Sequence, residues 1–433
     1  MTDDVETIPV VIVGGGQAGL SMSWYLTQAG IQHVVLERDT LMHSWRDARW
    51  DSFCLVTPNW QCHLPGYRYA GDDPDGFMVA ADLIAWLAGY VASFDPPVRE
   101  HTTVTSARPI EGASGGFEVR TADGTTIRAE QVVVATGGYH DPAVPRMAER
   151  LPARVEQLHS SLYKNAASLP EGPVLVVGTG QSGAQIAEDL LLAGREVHLA
   201  VGSAPRFARR YRGRDVIAWM HDTGHYAKPV TDKPVEERHQ DRTNHYVTGR
   251  DGGRDIDLRS FALAGMTLHG HLAEITSDAL IFADDLERSL DAADTVYNGI
   301  NQLIDEWIAE KGLDAGKPGR YQPLWRPTGY SGSQLDPADL AALIWATGFT
   351  RNYRWLRAGV FDGAGHPHHL RGVTAVEGLY FLGLPWQHTW GSGRFAGLAR
   401  DAEYLAEQVR SGYRRWHPAD RGRSAMISNI ASR

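Results

Sequence analysis

Val10-Val11-Ile12-Val13-Gly14-Gly15-Gly16-Gln17-Ala18-Gly19 decides how this 433-residue chain is read. The β-branched run up to Val13 has the character of a strand buried on both faces. It enters a GxGxxG turn and then a helical segment, from about Leu20 to Gln28, that stops at Gly30. A second apolar run, Val34-Val35-Leu36, closes on Glu37, 18 residues after Gly19. Strand, glycine turn, helix, strand and acid, in that order, make a mononucleotide-binding unit. Gly14 permits the tight turn, Gly16 lets a pyrophosphate approach the backbone, and Gly19 lets helix and strand pack closely. The helix start at Gln17 and Ala18 offers free N–H groups to phosphate. Glu37, with Arg38 beside it, stands where a carboxylate hydrogen-bonds a ribose diol.

The same order returns 164 residues later. Pro173–Val177 reads as a strand, Gly178-Thr179-Gly180-Gln181-Ser182-Gly183 as the turn, and 184–192 as a helix stopping at Gly194; strand 196–201 follows. Here the strand ends on Gly202-Ser203 with no acid. Five arginines then fall within nine residues, Arg206 to Arg214. A carboxylate accepts from a free 2′-hydroxyl and repels a 2′-phosphate, whereas a guanidinium fork binds that phosphate. The first unit therefore suits FAD or NAD and the second NADPH, with Ser203, Arg206 and Arg209 expected at the 2′-phosphate. Taken alone, the arginine run reads as a solvated loop or an RNA-binding patch, the loop being favoured.

Around these units the pattern predicts a helix over 80–93, short strands at 101–108, 117–120 and 125–128, and a buried strand, Gln131–Val134, ending in Ala135-Thr136-Gly137. Leu343-Ile344-Trp345 runs similarly into Ala346-Thr347-Gly348. The two Ala-Thr-Gly turns bracket the second unit. The expected fold is α/β: two Rossmann-like dinucleotide-binding domains of three layers, the NADPH domain (166–335) inserted into a discontinuous FAD domain (1–165 and 336–410). A strand at 379–382, a helix from about Gly393 to Val409 and a peripheral basic tail, 411–433, complete the plan. Trp390-Gly391-Ser392-Gly393 at the late helix start reads either as a plain cap or as a place to stabilise negative charge on a reduced flavin.

Composition narrows the function. The 52 acids against 42 bases give a net charge of −10, which speaks against a nucleic-acid-binding body. The two cysteines, Cys54 and Cys62, form neither a disulfide framework nor a CxxC pair. His221 and His225 lack the glutamate of a zinc motif, and His366-Pro367-His368-His369 sits in a Gly/Pro-rich loop, so no metal is expected. The acidic start of the chain is unlike a signal peptide, and no apolar run reaches the ~18–20 residues that span a bilayer. The expectation is a cytoplasmic protein with neither membrane nor nucleic-acid partner, leaving room for a homodimer.

In this order and spacing the motifs are specific. The chain resembles the single-component class B flavoprotein monooxygenases, which include flavin-containing, Baeyer–Villiger and plant YUCCA-type enzymes. It is most similar to bacterial relatives described as flavoproteins involved in potassium transport, and more weakly to a group found beside a nitrilase gene. The resemblance covers residues 8–410. It rests on the first glycine turn with Glu37, then Ser44-Trp45-Arg46, Leu55-Val56-Thr57-Pro58, Leu64-Pro65-Gly66 and Ala135-Thr136-Gly137. Further on come His159-Ser160-Ser161-Leu162-Tyr163-Lys164, the second glycine turn with the arginines, Ala346-Thr347-Gly348-Phe349, Gly383-Leu384-Pro385-Trp386-Gln387 and Arg400-Asp401-Ala402. Ala153 and Val155 replace the aromatic and glycine that precede the family's histidine, and Met42-His43 replace its glycine-rich approach to Trp-Arg. No position matches the catalytic arginine of Baeyer–Villiger enzymes.

The resemblance implies that NADPH reduces FAD, that O2 adds to the reduced ring, and that the flavin peroxide passes one oxygen atom to a small organic substrate. N-, S- or C-oxygenation is expected over ketone-to-ester chemistry. It also implies roles: Trp45, Arg46, Thr57 and Gln387 as catalytic candidates, with Pro58 and Gly383, on the flavin side; His159 and Tyr163 at the domain crossing. A reductase or oxidase without oxygen insertion, and a redox-sensing flavoprotein that regulates a partner, are the alternatives.

Overall fold

The computed structural model describes residues 5–112, 115–232, 245–328 and 332–417. Four of the apolar runs identified above pair in parallel with Val98–Arg99 as one five-stranded sheet, in the order Leu379–Phe381, Gln131–Val134, Val10–Val13, His33–Leu36, Val98–Arg99. A parallel sheet needs both faces covered, and alternation along the strands divides the cover. Val10, Ile12, Val35 and Val133 pack under the helices Gln17–Gln28 and Phe395–Trp416 through Leu20, Met22, Leu398, Leu405 and Val409. Val11, Val13, Val34 and Val132 face an antiparallel layer, meeting Phe117, Val119 and Ile127. That layer is Val104–Pro109, Phe117–Thr121 and Thr126–Ala129 with Val5–Thr7 at its edge. At about 1.5–3 kcal/mol for each aliphatic side chain withdrawn from water, this double cover holds the strand ends in place.

The second sheet repeats the plan. Its order is Glu156–His159, Ala342–Trp345, Val174–Val177, Val197–Ala200, Thr267–His269, all parallel. Val174, Val176 and Ile344 pack on the side of the helix Gln181–Leu192, while Leu175, Val177 and Leu343 meet Ile275, Leu280 and Phe282 of a three-stranded antiparallel layer. Both units are thus of the ββα kind.

Strand pairing corrects the expected boundaries. Glu156–His159 and Ala342–Trp345, assigned by sequence order to the first domain, both belong to the second sheet. Each unit owns one Ala-Thr-Gly turn, so the turns do not bracket the second. The chain crosses between the sheets within 135–155 and again within 346–378. The late helix continues past Val409 to Trp416; the rest of the expected tail, from 418, lies outside the described residues. The 26-residue helix Leu286–Lys311 also stands where the sequence reading placed no element. It buries Leu286, Leu290, Ala293, Ile304 and Ile308 along one stripe and ends on Gly312 at φ +61°.

Candidate active site

The two glycine turns are built alike. Gly14 holds φ +110°, and a Cβ there would lie 2.6 Å from the Ala135 carbonyl oxygen; Gly178 holds φ +103°, and its Cβ would lie 2.7 Å from that of Ala346. A methyl on Gly19 or Gly183 would overlap the carbonyl oxygen of Gly14 or Gly178. At Gly16 and Gly180 nothing lies within 4 Å of the Cβ position. Each of these two glycines caps a 12-residue helix whose first N–H groups receive no side-chain cap. Two open cradles with free donors result, and two pyrophosphates fit them. Gln17, Gln181 and Ser182 stand at the helix starts, and Thr136 and Gly137 at the neighbouring strand end.

The strand ends beside the cradles differ in charge. Glu37 Oε2 accepts from Gly15 N at 2.6 Å and Oε1 from Asp39 N at 2.9 Å, so the carboxylate closes the first turn; Arg38 pairs with Asp39 in solvent. In the second unit the buried Thr179 hydroxyl does this work, accepting from Gly202 N at 2.9 Å, and Ser203 stays exposed beyond it. The first turn is closed by an acid and the second by a neutral hydroxyl.

The arginine expectation needs correction. Arg206 is 2% exposed, lies between the rings of Tyr297 and Tyr321, and ion-pairs with Asp294 at 2.6 Å. Asp257 stands 3.9 Å away, and Arg259 shares Asp294 at 2.9 Å. Arg209 is equally buried: it donates to the Val56 carbonyl at 2.8 Å and to Asp215 at 2.7 Å, over the ring of Phe77. Arg206 is packed within the second unit, and Arg209 fastens that unit to Val56 and Phe77 of the first. Neither side chain is exposed beside Ser203, where the sequence pattern expected both.

A seam joins the units, with Asp189 as its hub. Its carboxylate accepts from Ser52 at 2.5 Å, Arg250 at 2.9 Å and Tyr163 at 2.7 Å. Lys164 donates to the carbonyls of Asp47 and Arg49. Tyr163 is fully buried here, its hydroxyl pushed up by burial and the Asp189 carboxylate. His159 Nε2 lies 2.9 Å from the Gly348 carbonyl and Nδ1 2.9 Å from Ser161 Oγ; burial holds the imidazole below its usual range, in the neutral form. His159 is thus tied to the Ala-Thr-Gly turn of the second unit, and Tyr163 to the Asp189 hub. Asp189, Ser52 and Arg250 were missed because none lies in a motif and they stand far apart in the sequence.

Around the first cradle, Trp45 Nε1 donates to Gln17 Oε1 at 2.9 Å and its ring stacks on Phe395, which brings this sequence-predicted residue to the turn. Arg46 is exposed, Thr57 half-buried and Pro58 buried. Gln387 accepts from Leu384 N in its own loop and donates to the Arg371 carbonyl in the segment before the strand, both at 3.3 Å, so its amide acts as a brace. Gly383 lies against Ala18, and the following Trp386 holds φ +55°, a conformation that a bulky side chain rarely adopts. The loop then passes under a strap from the second unit: Val230 N donates to His388 O at 2.6 Å, Pro229 pairs with Thr389, and Tyr226 stacks on Trp390 at 4.0 Å. Among the described residues no group of three His, Cys, Asp or Glu side chains could hold a metal. Cys54 and Cys62 are buried, and burial pushes their thiols up to about 11 and about 12.

Residues 11–222 match the pyridine nucleotide-disulphide oxidoreductase family. Over 412 residues, 93% of this chain and 98% of the relative, the sequence is 32% identical to an uncharacterized CzcO-like oxidoreductase of Geobacillus kaustophilus. It is 32% identical over 331 residues, 70% of this chain and 79% of the relative, to the indole-3-pyruvate monooxygenase YUCCA1 of Oryza sativa. The chain belongs to the class B flavoprotein monooxygenase family. A flavin monooxygenase of Stenotrophomonas maltophilia shares the fold, with a TM-score of 0.64 over 94% of this chain and 99% of that one at 19% identity. The cofactors of this family are FAD and NADPH. Two dinucleotides and two open cradles agree in number, and each cradle offers a pyrophosphate uncapped helix N–H groups. No described helix is long and apolar enough to cross a membrane.

Proposed function

We propose that the protein consumes NADPH and O2 to insert one oxygen atom into a small organic substrate at nitrogen, sulfur or activated carbon. The observation that carries this reading is the doubled cradle, one closed by the Glu37 carboxylate and the other by the neutral Thr179 hydroxyl. When bound, FAD supplies the redox chemistry: it takes a hydride equivalent from NADPH and activates O2. The chain's own residues bind, orient and exclude water. Free N–H groups at Gln17 and Gln181 hold the two pyrophosphates, and Trp45 ties the first turn to the ring of Phe395. The strap carrying Tyr226 and Val230 lies on residues 388–390 and would keep water from the seam once the cofactors are bound.

A dithiol reductase is disfavoured because both cysteines are buried and their thiols are held protonated, so neither offers the thiolate that disulfide exchange requires. The absence of a match to the Baeyer–Villiger arginine favours heteroatom or activated-carbon substrates over ketones. We place the protein in the cytoplasm, with a homodimer as its proposed assembly. A screen of amines, thioethers, ketones and nitrile-derived compounds under 18O2 tests the reading. One labelled oxygen in the product for each NADPH consumed supports it. NADPH consumption that yields only stoichiometric hydrogen peroxide with every compound leaves an oxidase.

A further inference from the structure

The loop after the strand Leu379–Phe381 and the helix Phe395–Trp416 that follows it share a titratable pair, His388 and Asp401, that neither cradle uses. Asp401, nearly two turns into the helix, is 2% exposed, and neither carboxyl oxygen has a hydrogen-bond partner at ordinary distance. His388 Nδ1 faces it, 4.0 Å from Oδ1, and is itself buried and unpartnered. The side chain of His388 is nonetheless 20% exposed, so its open edge is the one that carries Nε2. Closing the gap by about 1 Å would make an ordinary hydrogen bond of ~2.9 Å.

The surroundings fix this arrangement. Ser392 Oγ accepts from the backbone N–H of His388 and of Thr389, both at 3.0 Å, leaving the serine's own proton to donate toward Asp401. The strap bonds the His388 carbonyl from the other side. Arg371, from the segment before the strand, and Arg400, on the same helix, are the charged groups that face the pair. Both favour a carboxylate and oppose an imidazolium. Burial opposes either charge, pushing the Asp401 carboxyl up and the His388 imidazole down from their ordinary ranges. An unmatched carboxyl in the core is costly, and its neighbour here is a ring that can exchange a proton with it.

Resting on the oxygenase reading above, we propose that His388 moves a proton at Nε2 between the cleft and the core during turnover, and that Asp401 is its positioning residue. When Nε2 gains a proton, the Nδ1 proton passes to a carboxylate oxygen of Asp401. The ring is then neutral with its proton on the other nitrogen, the acid is neutral, and the pair has gained one proton. The reverse transfer returns it to the cleft. Before uptake the core holds one carboxylate, which Arg371 and Arg400 favour, and after uptake the pair carries no charge.

Histidine-labelled, flavin-loaded full-length protein tests this by NMR titration of the ring carbons; the resonance missing from His388→Gln identifies His388. Asp401→Asn removes the proton acceptor and leaves Arg371 and Arg400 unbalanced, so the His388 midpoint should fall by at least about one pH unit, roughly tenfold in proton affinity. His388→Gln should remove one limb from the pH profile of product formation while leaving the KM for NADPH within about twofold. An unchanged His388 midpoint in Asp401→Asn, or an unchanged pH profile in His388→Gln, overturns the proposal. Should Asp401→Asn not fold, His388→Gln decides alone, since it alters a part-exposed side chain. The ring titration needs no turnover: a shifted midpoint in a protein that oxygenates nothing would unseat the proposed function and leave the pair standing.

Discussion

Alanine at Gly16 and at Gly19, three residues apart, should fail in opposite ways. At Gly16 the backbone is extended, with φ −80° and ψ −175°, and nothing lies within 4 Å of a new methyl. Losing a glycine N-cap costs a few tenths to about 1 kcal/mol, and restricting the unfolded chain returns about 0.4–1 kcal/mol, so the unliganded fold should keep its stability within about 0.5 kcal/mol. The same methyl occupies the space where a pyrophosphate meets the helix N–H groups. Two lost charge-assisted hydrogen bonds, at about 1.5–3 kcal/mol each, would weaken FAD by roughly 3–6 kcal/mol, or about 10²–10⁴-fold. At Gly19 the methyl would overlap the Gly14 carbonyl, prising helix from strand at a cost of about 3 kcal/mol or more. Urea melts of flavin-stripped protein, paired with FAD binding isotherms, separate the two effects. Full FAD affinity in Gly16→Ala, or a stable fold in Gly19→Ala, would refute the assignment of roles within the turn.

Arg206→Ala leaves Asp294 with one of its two buried guanidinium partners and should cost about 3–5 kcal/mol of stability while leaving the preference for NADPH over NADH unchanged; a collapsed preference with an intact fold would restore the arginine to the coenzyme. Tyr163→Phe should lose about 1–3 kcal/mol through the unmatched Asp189 oxygen and shift thermal unfolding downward with flavin content unaltered; flavin loss at unchanged stability would place the phenol at the cofactor. With its thiol raised to about 11, Cys54 is ~0.1% thiolate at pH 8, so a thiol reagent should label the native protein only as fast as it opens. The unfolded state ionises this thiol first, so its contribution to stability should be present below about pH 9 and fade as the pH rises toward 11, which melts at stepped pH would show. Rapid labelling of native protein, or melts flat across that window, would contradict the burial of Cys54.

Much of this arrangement was legible before any coordinate. Short β-branched runs such as Val10–Val13 and Val174–Val177 admit few alternatives once a glycine turn follows, because only a buried parallel strand and a closely packed helix make sense of both. What failed was ownership. Leu343-Ile344-Trp345 carries the same apolar signal as Val132-Val133-Val134, and nothing local says which sheet it joins. Arg206 failed for a related reason: an arginine reads as solvated or phosphate-binding until its acids are known, and Asp257 and Asp294 lie 51 and 88 residues away. Asp401 did carry a signal. It shares a helix face with Leu398, Ala402 and Leu405, where an acid has no reason to sit unless the core uses it. The seam around Asp189 had none, since its partners come from three separate segments.

Two dinucleotides held face to face in one chain is the proposition on which the rest depends, and anaerobic titration of the purified protein with NADPH, followed at the flavin absorbance band, tests it most directly. The account predicts yellow protein with one FAD per chain, bleached by a single equivalent of NADPH and poorly by NADH. Colourless protein that takes up no FAD, or bound flavin that NADPH leaves oxidised, would contradict it.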